Sequence, residues 1–304
     1  MPFDALRSSS SPVVGASPEA LGSNAPVGIF DSGLGGLSVL RAVRAALPDE
    51  RLIYAADSLY APYGERDDDF IADRTLAIGE WLVSQGAKAL VVACNTATSQ
   101  SIAQTRERLP IPVIGVEPGI KPASLTSQTR VVGVLATAVT LRSARFQALA
   151  ERHAGDCRFI LQPGHGLVQA VERCDTNSPE LLALLRGYVQ PMLDANADTL
   201  VLGCTHYPFL DEAIRSIAGD RLTLVDTSVA IARQLERQLD SFGLRAAPAQ
   251  LQDQPQAIEL PRFYSTNDGL ALRQLAASLL GLDVAVEHVV IPSRRTRALE
   301  SNPV

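Results

Sequence analysis

An α/β fold of two similar, mostly parallel open sheets is expected for this chain, related by pseudo-symmetry with the active site in the cleft between them. Three observations predict it. Short apolar runs alternate with amphipathic stretches, the pattern restarts about one domain later, and two runs end on a cysteine followed by polar residues. Those two runs are Leu90-Val91-Val92-Ala93-Cys94-Asn95-Thr96 and Leu200-Val201-Leu202-Gly203-Cys204-Thr205-His206. Each reads as a buried strand delivering a thiol to its carboxyl end, which is where open α/β sheets bind ligands. Two thiols at two such ends can face one substrate from opposite sides. A proton taken from one face of a carbon can then be returned to the other.

The elements follow in order. Strand-like Val27–Phe30 precedes helical Leu37–Leu47; Leu52–Ala56 precedes Phe70–Gln85; Ala89–Ala93 precedes Ser99–Leu109. The segment Val27-Gly28-Ile29-Phe30-Asp31-Ser32 is echoed 105 positions later by Val132-Gly133-Val134-Leu135-Ala136-Thr137, and the two cysteine strands echo each other at an offset of 110. Similar offsets for independent pairs point to an internal duplication. Later come strand-like Leu222–Asp226, helical Val229–Phe242, a Pro- and Gln-rich loop at Ala246–Pro255, a strand at Phe263–Ser265 and a helix at Leu270–Leu280. The expected organisation is a disordered tail over 1–25, a first, discontinuous domain from 26–117 plus 226–291, a second domain over 118–225, and a disordered tail over 292–304.

Composition narrows the function classes. At 304 residues and 46% hydrophobic, the chain is long enough for one large or two ordinary domains. The net charge of −6 is spread along the sequence, so nucleic acid is not an expected partner. No apolar stretch reaches the length of a membrane span and the N-terminus lacks a signal-peptide core, so a cytoplasmic location is expected, with no membrane partner. The four cysteines include no C-x-x-C pair, and Cys157 and Cys174 read as small buried hydrophobes.

The turn Asp31-Ser32-Gly33-Leu34-Gly35-Gly36 lies between a strand and a helix start. Its glycines permit close backbone approach, and the helix N-terminus offers amides to an anion. Asp31 either caps that helix or binds a substrate ammonium. Asp57-Ser58, with Pro62-Tyr63-Gly64, forms a polar loop that read alone is a surface turn. Asn95, Thr96 and Thr98 after Cys94, and Thr205 and His206 after Cys204, supply hydrogen-bond donors suited to carboxylates. A free thiol has a pKa of about 8.5 and needs a cation or helix N-terminus to act as a base near neutrality. His206 is either that partner or a structural histidine. Cys94, Cys204 and His206 could offer three zinc ligands, but the spacing is poor for zinc and no metal is expected. No cofactor is expected either: the only lysines, Lys88 and Lys121, make no convincing site for pyridoxal phosphate.

Taken together, Phe30–Gly36, Asp57-Ser58 with Pro62-Tyr63-Gly64, Ala93-Cys94-Asn95-Thr96-Ala97, Gly133–Thr137 and Gly203-Cys204-Thr205-His206-Tyr207-Pro208 resemble glutamate racemase, of the aspartate/glutamate racemase superfamily. The ordered set covers roughly residues 26 to 270. The resemblance implies a cofactor-independent isomerase that interconverts L- and D-glutamate and supplies D-glutamate for peptidoglycan. It implies that Cys94 and Cys204 are the acid/base pair, Cys94 deprotonating D-glutamate and Cys204 L-glutamate. It makes Asp31, His206 and Glu172 their assistants, and Asp31, Ser32, Tyr63, Gly64, Asn95, Thr96, Thr205 and His206 the substrate-binding residues. Glu172 matches within Leu167-Val168-Gln169-Ala170-Val171-Glu172, although Gln162-Pro163-Gly164-His165-Gly166 before it is longer than in many relatives. Phe146 stands where a tyrosine is common. A homodimer is implied too. Some racemases of this family bind DNA gyrase, which makes a non-enzymatic binding role a further reading that the acidic net charge neither supports nor excludes.

Two other readings compete. Aspartate racemases share the paired cysteines, but that branch usually carries Glu where His206 stands. A single cysteine with His206 could instead serve acyl transfer as nucleophile and base.

Overall fold

The computed structural model describes residues 22–155, 157–247 and 259–293. In chain order the first half of the fold runs β1 (Val27–Asp31), α1 (Leu37–Ala46), β2 (Leu52–Ala56), α2 (Asp68–Ser84), β3 (Ala89–Val92), α3 (Asn95–Arg108), β4 (Val113–Gly115) and α4 (Ile120–Thr126). The second half repeats the alternation with β5 (Val131–Ala136), α5 (Ala138–Arg142), α6 (Ala144–Ala154), β6 (Arg158–Pro163), α7 (Leu167–Glu172), α8 (Pro179–Asp194), β7 (Thr199–Gly203), α9 (Asp211–Ala218) and β8 (Thr223–Val225). The chain then continues through α10 (Ser228–Ser241), β9 (Arg262–Ser265), α11 (Leu270–Leu280) and β10 (Val286–His288).

The strands form two all-parallel sheets, ordered β10-β9-β2-β1-β3-β4 and β6-β5-β7-β8. Four strands of the first sheet, β2-β1-β3-β4, repeat the order of the second. The register makes the duplication concrete. Phe30 lies opposite Val92 in the first sheet, and Leu135 lies opposite Leu202 in the second. These pairs are separated by the same 105 and 110 positions as the sequence echo, so Cys94 and Cys204 occupy equivalent places two residues beyond equivalent strand positions. After β8, strands β9 and β10 return to the edge of the first sheet beyond β2.

Local chemistry explains the elements. β1, β2, β3 and β7 are buried along their whole length, which is why they read as continuous apolar runs rather than alternating ones. α2 is capped by Asp67, whose side chain accepts from the Phe70 N–H at 2.7 Å, and α8 by Ser178 with Pro179 at its first position. α3 begins at Asn95, four residues earlier than its apolar pattern predicts. Its buried face is mostly small and polar, and two of its hydroxyls bond within the helix, Ser101 Oγ to Ala97 O at 2.7 Å and Thr105 Oγ1 to Ser101 O at 2.9 Å.

At the opposite end of β3 from Cys94, Lys88 is fully buried and paired with Glu50 at 2.5 Å. Gly22–Ala25, within the stretch expected as a tail, forms a turn in which the Ala25 N–H donates to Gly22 O at 2.9 Å. The rest of that tail, 1–21, most of the Pro- and Gln-rich loop, and 294–304 lie outside the described residues. Among the described residues no helix is long and apolar enough to cross a membrane.

Asp198 fixes the amino end of β7. It accepts from Ser127 Oγ (2.6 Å), the Gln128 and Thr129 N–H groups (2.7 and 2.8 Å) and Thr199 Oγ1 (2.9 Å). Partial burial works against its charge, but these bonds outweigh it and hold the carboxyl at a pKa of about 2. Because the folded value lies below the unfolded one, this stabilisation is present above pH 4 and is lost as pH falls towards 2. Asp198→Ala is expected to cost about 1–2 kcal/mol at pH 7 and little at pH 2, measured by urea unfolding at both.

Candidate active site

Both thiols sit where a buried strand gives way to polar residues. Cys94 follows β3 and is the N-cap of α3, its sulfur accepting from the Ala97 N–H at 3.5 Å. Ser32 Oγ lies 3.4 Å from the same sulfur. Burial pushes the Cys94 thiol up to about 12, and the Asp31 carboxylate and the Cys204 sulfur push in the same direction against the bonds from Ser32 and Ala97.

Cys204 follows β7 and is 6% exposed, against 5% for Cys94. Its sulfur is 3.6 Å from His206 Nδ1, and His206 Nε2 is 2.6 Å from Glu172 Oε1 on α7. Burial opposes a charge on His206, yet the bonds to Cys204 and Glu172 and their negative charges raise its pKa well above the ordinary imidazole value. The imidazolium thus donates to both neighbours, and a thiolate at Cys204 and the charge on His206 favour each other. The two cysteines occupy equivalent positions in the duplicated fold but have different partners: a helix N-terminus, a hydroxyl and a nearby carboxylate for Cys94, a cation for Cys204.

The glycine turn after β1 joins the two halves. Asp31 is completely buried, and its Oδ2 accepts from the Gly33 N–H at 2.9 Å. Burial raises its pKa, while His206 and the Gly33 and Gly36 amides pull it down. The Leu34 N–H donates to Glu172 Oε1 at 2.8 Å. The amides expected to be free for an anion are therefore occupied by two of the protein's own carboxylates. Asp31 does not act as the N-cap of α1; that position is Gly36, with no capping side chain. Thr205 Oγ1 donates to Asp31 Oδ1 at 3.5 Å, and Ser38 Oγ to the Gly35 and Thr205 carbonyls at 2.9 and 3.1 Å.

This close docking needs Gly35. A Cβ there would stand 2.3 Å from His206 Nδ1 and 2.7 Å from Thr205 Oγ1. Gly35→Ala is expected to destabilise the fold by about 1–3 kcal/mol and to displace His206 from Cys204. Urea unfolding measures the first effect, and an imidazole NMR titration reads the second as a His206 pKa moved back towards 6.5.

The other residues expected at a site are placed as follows. Thr96 Oγ1 and Thr137 Oγ1 lie 2.9 Å apart, bridging α3 to the end of β5. Gly64 packs on Thr137 so closely that a Cβ would stand 3.2 Å away, and both line a small cleft with Pro62, Gly164, His165 and Gln169. Tyr63 is buried with its hydroxyl donated to Asp57 at 2.5 Å, and Asn95 Nδ2 donates to Val116 O at 3.4 Å. The side-chain polar groups of these two are thus engaged within the protein. Ser38 and Thr137 escaped the sequence reading. The internal echo offered a signal for Thr137, which is the counterpart of Ser32. Cys157 is buried as expected, but Cys174 is exposed. It stands at φ 58° just beyond the end of α7, where the backbone turns away from the core. No group of His, Cys, Asp and Glu side chains among the described residues is arranged to hold a metal ion.

Comparison with known proteins gives a consistent result. Residues 37–235 match the family model described as Asp/Glu/Hydantoin racemase. A glutamate racemase of Ralstonia pickettii is 62% identical over 257 residues, covering 84% of this chain and 88% of that protein. The glutamate racemase of Escherichia coli, solved with L-glutamate and the activator UDP-MurNAc-ala, superposes with a TM-score of 0.76 at 31% identity, covering 88% of this chain and 100% of that one. That of Francisella tularensis, solved with D-glutamate, gives 0.75 at 27% identity, covering 88% and 98%. The chain belongs to the Asp/Glu/hydantoin racemase family, within its glutamate racemase branch.

Proposed function

We propose that this chain is a glutamate racemase that inverts Cα of glutamate with two opposed cysteine bases and no cofactor. The observation that carries the reading is the placement of Cys94 and Cys204 at equivalent ends of two duplicated sheets, both buried. The glutamates bound to the E. coli and F. tularensis relatives support the choice of substrate.

The chemical difficulty is the weak acidity of Cα–H beside a carboxylate. A closed site lowers the barrier by placing a base on one face, an acid on the other, and donors where carboxylate charge grows. With L-glutamate bound, Cys204 acts as the base, its negative charge supported by the His206 imidazolium, and Cys94 acts as the acid. Cys204 removes the proton from L-glutamate and becomes a thiol. Cys94 delivers its own proton to the opposite face and becomes a thiolate. The product is D-glutamate, and solvent exchange resets the two sulfurs. In reverse, Cys94 is the base, its negative charge supported by Ser32 and the first turn of α3, and Asp31 is the buried carboxylate that takes up or releases its proton. Ser32, Thr96 and Thr205, with backbone amides beside them and at Gly64, bind the substrate carboxylates and growing enediolate charge. Family resemblance extends the reading to D-glutamate supply for peptidoglycan, in the cytoplasm, by a homodimer.

The test is a chiral assay of purified protein with L-glutamate and, separately, L-aspartate, under reducing conditions and without added cofactor. D-Glutamate formation approaching a 1:1 mixture is expected, with aspartate turned over far more slowly. Preference for aspartate, or no inversion of either, would overturn the proposal.

A further inference from the structure

Arg74 on α2 heads the described residues in size among side chains that are essentially fully buried, at 1% exposure. Its guanidinium grips the fully buried Asp57 with both arms, Nη2 to Oδ1 at 2.7 Å and Nε to Oδ2 at 2.9 Å. Its remaining nitrogen, Nη1, donates to Ile291 O at 2.5 Å, and the plane lies 4.5 Å from the Tyr60 ring centroid. Desolvating both ions offsets most of their attraction, so such a pair is a poor source of stability in itself. What it offers is orientation, because the planar fork fixes every group it touches.

Asp57 and Tyr60 belong to one loop, while Ile291 ties the guanidinium to the segment after β10. Asp57 follows β2, its N–H donates to Asp31 O at 3.0 Å, and its Oδ2 also accepts from Tyr63 Oη. The Tyr63 ring lies 6.2 Å from that of Phe30 and belongs to the same core as Cys94. Gly64, the next residue, abuts Thr137 across the cleft. We infer that Arg74 is a positioning residue that holds loop 57–65 against the cleft, setting Tyr63 and Gly64 for substrate through Asp57. The inference rests on the reading of Tyr63 and Gly64 as glutamate-binding. Lysine retains the charge but, as a point donor, cannot reproduce the fork to Asp57 together with the bond to Ile291.

The test compares Arg74→Lys, and Tyr63→Phe as a milder break of the same chain, with wild type. The readouts are steady-state racemisation of glutamate and amide hydrogen exchange. Arg74→Lys is expected to raise KM about tenfold with kcat within about twofold. The Tyr60, Glu65 and Arg66 amides, which close turns within the loop, should exchange at least about tenfold faster while β1 amides stay protected. Tyr63→Phe should shift KM in the same direction by less. A purely structural role would lower the folded fraction, so that apparent kcat falls at unchanged KM; that result, or loop protection equal to wild type, overturns the inference. If wild type itself fails to turn over glutamate, the functional reading falls, while the exchange measurement still decides whether Arg74 holds the loop.

Discussion

Cys94→Ser and Cys204→Ser are each expected to lower glutamate racemisation by about 10²–10⁴-fold, the range attached to a positioned proton-transfer group. A serine hydroxyl fills nearly the same space but is far less acidic than a thiol, so it cannot hold the negative charge of the base. The two losses should be similar although the residues sit in different sheets, because inversion needs both. What remains should differ in kind. Cys94→Ser keeps Cys204, which can remove the proton of L-glutamate and return a solvent proton to the same face. Cys204→Ser keeps Cys94, which can do so for D-glutamate. Each variant is therefore expected to exchange the Cα–H of one enantiomer with solvent without inverting it. Chiral analysis coupled to proton NMR in D₂O measures both quantities. An acyl-transfer enzyme with a single nucleophile would depend on one of the cysteines alone.

The second large effect is expected at His206. Its imidazolium lies 3.6 Å from the Cys204 sulfur and is held by Glu172 at 2.6 Å. A buried charge-assisted bond of this kind contributes about 1.5–3 kcal/mol, so His206→Asn should lower kcat/KM about 10- to 100-fold. Enantiomers have equal free energy in achiral solvent, so the factor must be the same in both directions. The asymmetry then appears in kcat and KM separately, with kcat for L-glutamate falling more if Cys204 is the base in that direction, as proposed. Glu172→Gln should act more mildly and through pH. The wild-type imidazolium persists well above pH 6.5, so the activity it supports is lost only as pH rises through that raised value. Without the Glu172 charge the loss should begin at lower pH, in profiles of kcat/KM against pH.

Much of this architecture is legible in the sequence because fully buried parallel strands have no polar face to hide their ends. Leu90–Ala93 and Leu200–Gly203 stop abruptly at polar residues, and the offsets of 105 and 110 reappear as strand register. α3 starts earlier than predicted because small polar residues rather than a run of large apolar ones cover much of its buried face, with the Ser101 and Thr105 hydroxyls satisfied within the helix. The use of the glycine-turn amides was also hidden. Gly33 bonds to Asp31, two positions away, but Leu34 bonds to Glu172, 138 positions away, and no local pattern reports such a contact. The Thr96–Thr137 bridge has the same origin: one hydroxyl in the first turn of α3 and one just after β5 meet only once the two sheets are docked. Arg74 was invisible for a related reason, since an arginine in the middle of an amphipathic helix reads as a solvated residue until its partner Asp57, just after β2, is known.

The most direct test of two opposed bases is where the solvent label appears first. L-Glutamate is incubated with wild-type protein in D₂O, and the earliest product and remaining substrate are separated by enantiomer and weighed by mass spectrometry. With Cys204 as acceptor and Cys94 as donor, the D-glutamate should carry one deuterium at Cα from the first time point while the residual L-glutamate stays unlabelled. Protium retained in early D-glutamate would mean that one group carries the same proton from face to face, and would contradict the paired-thiol account.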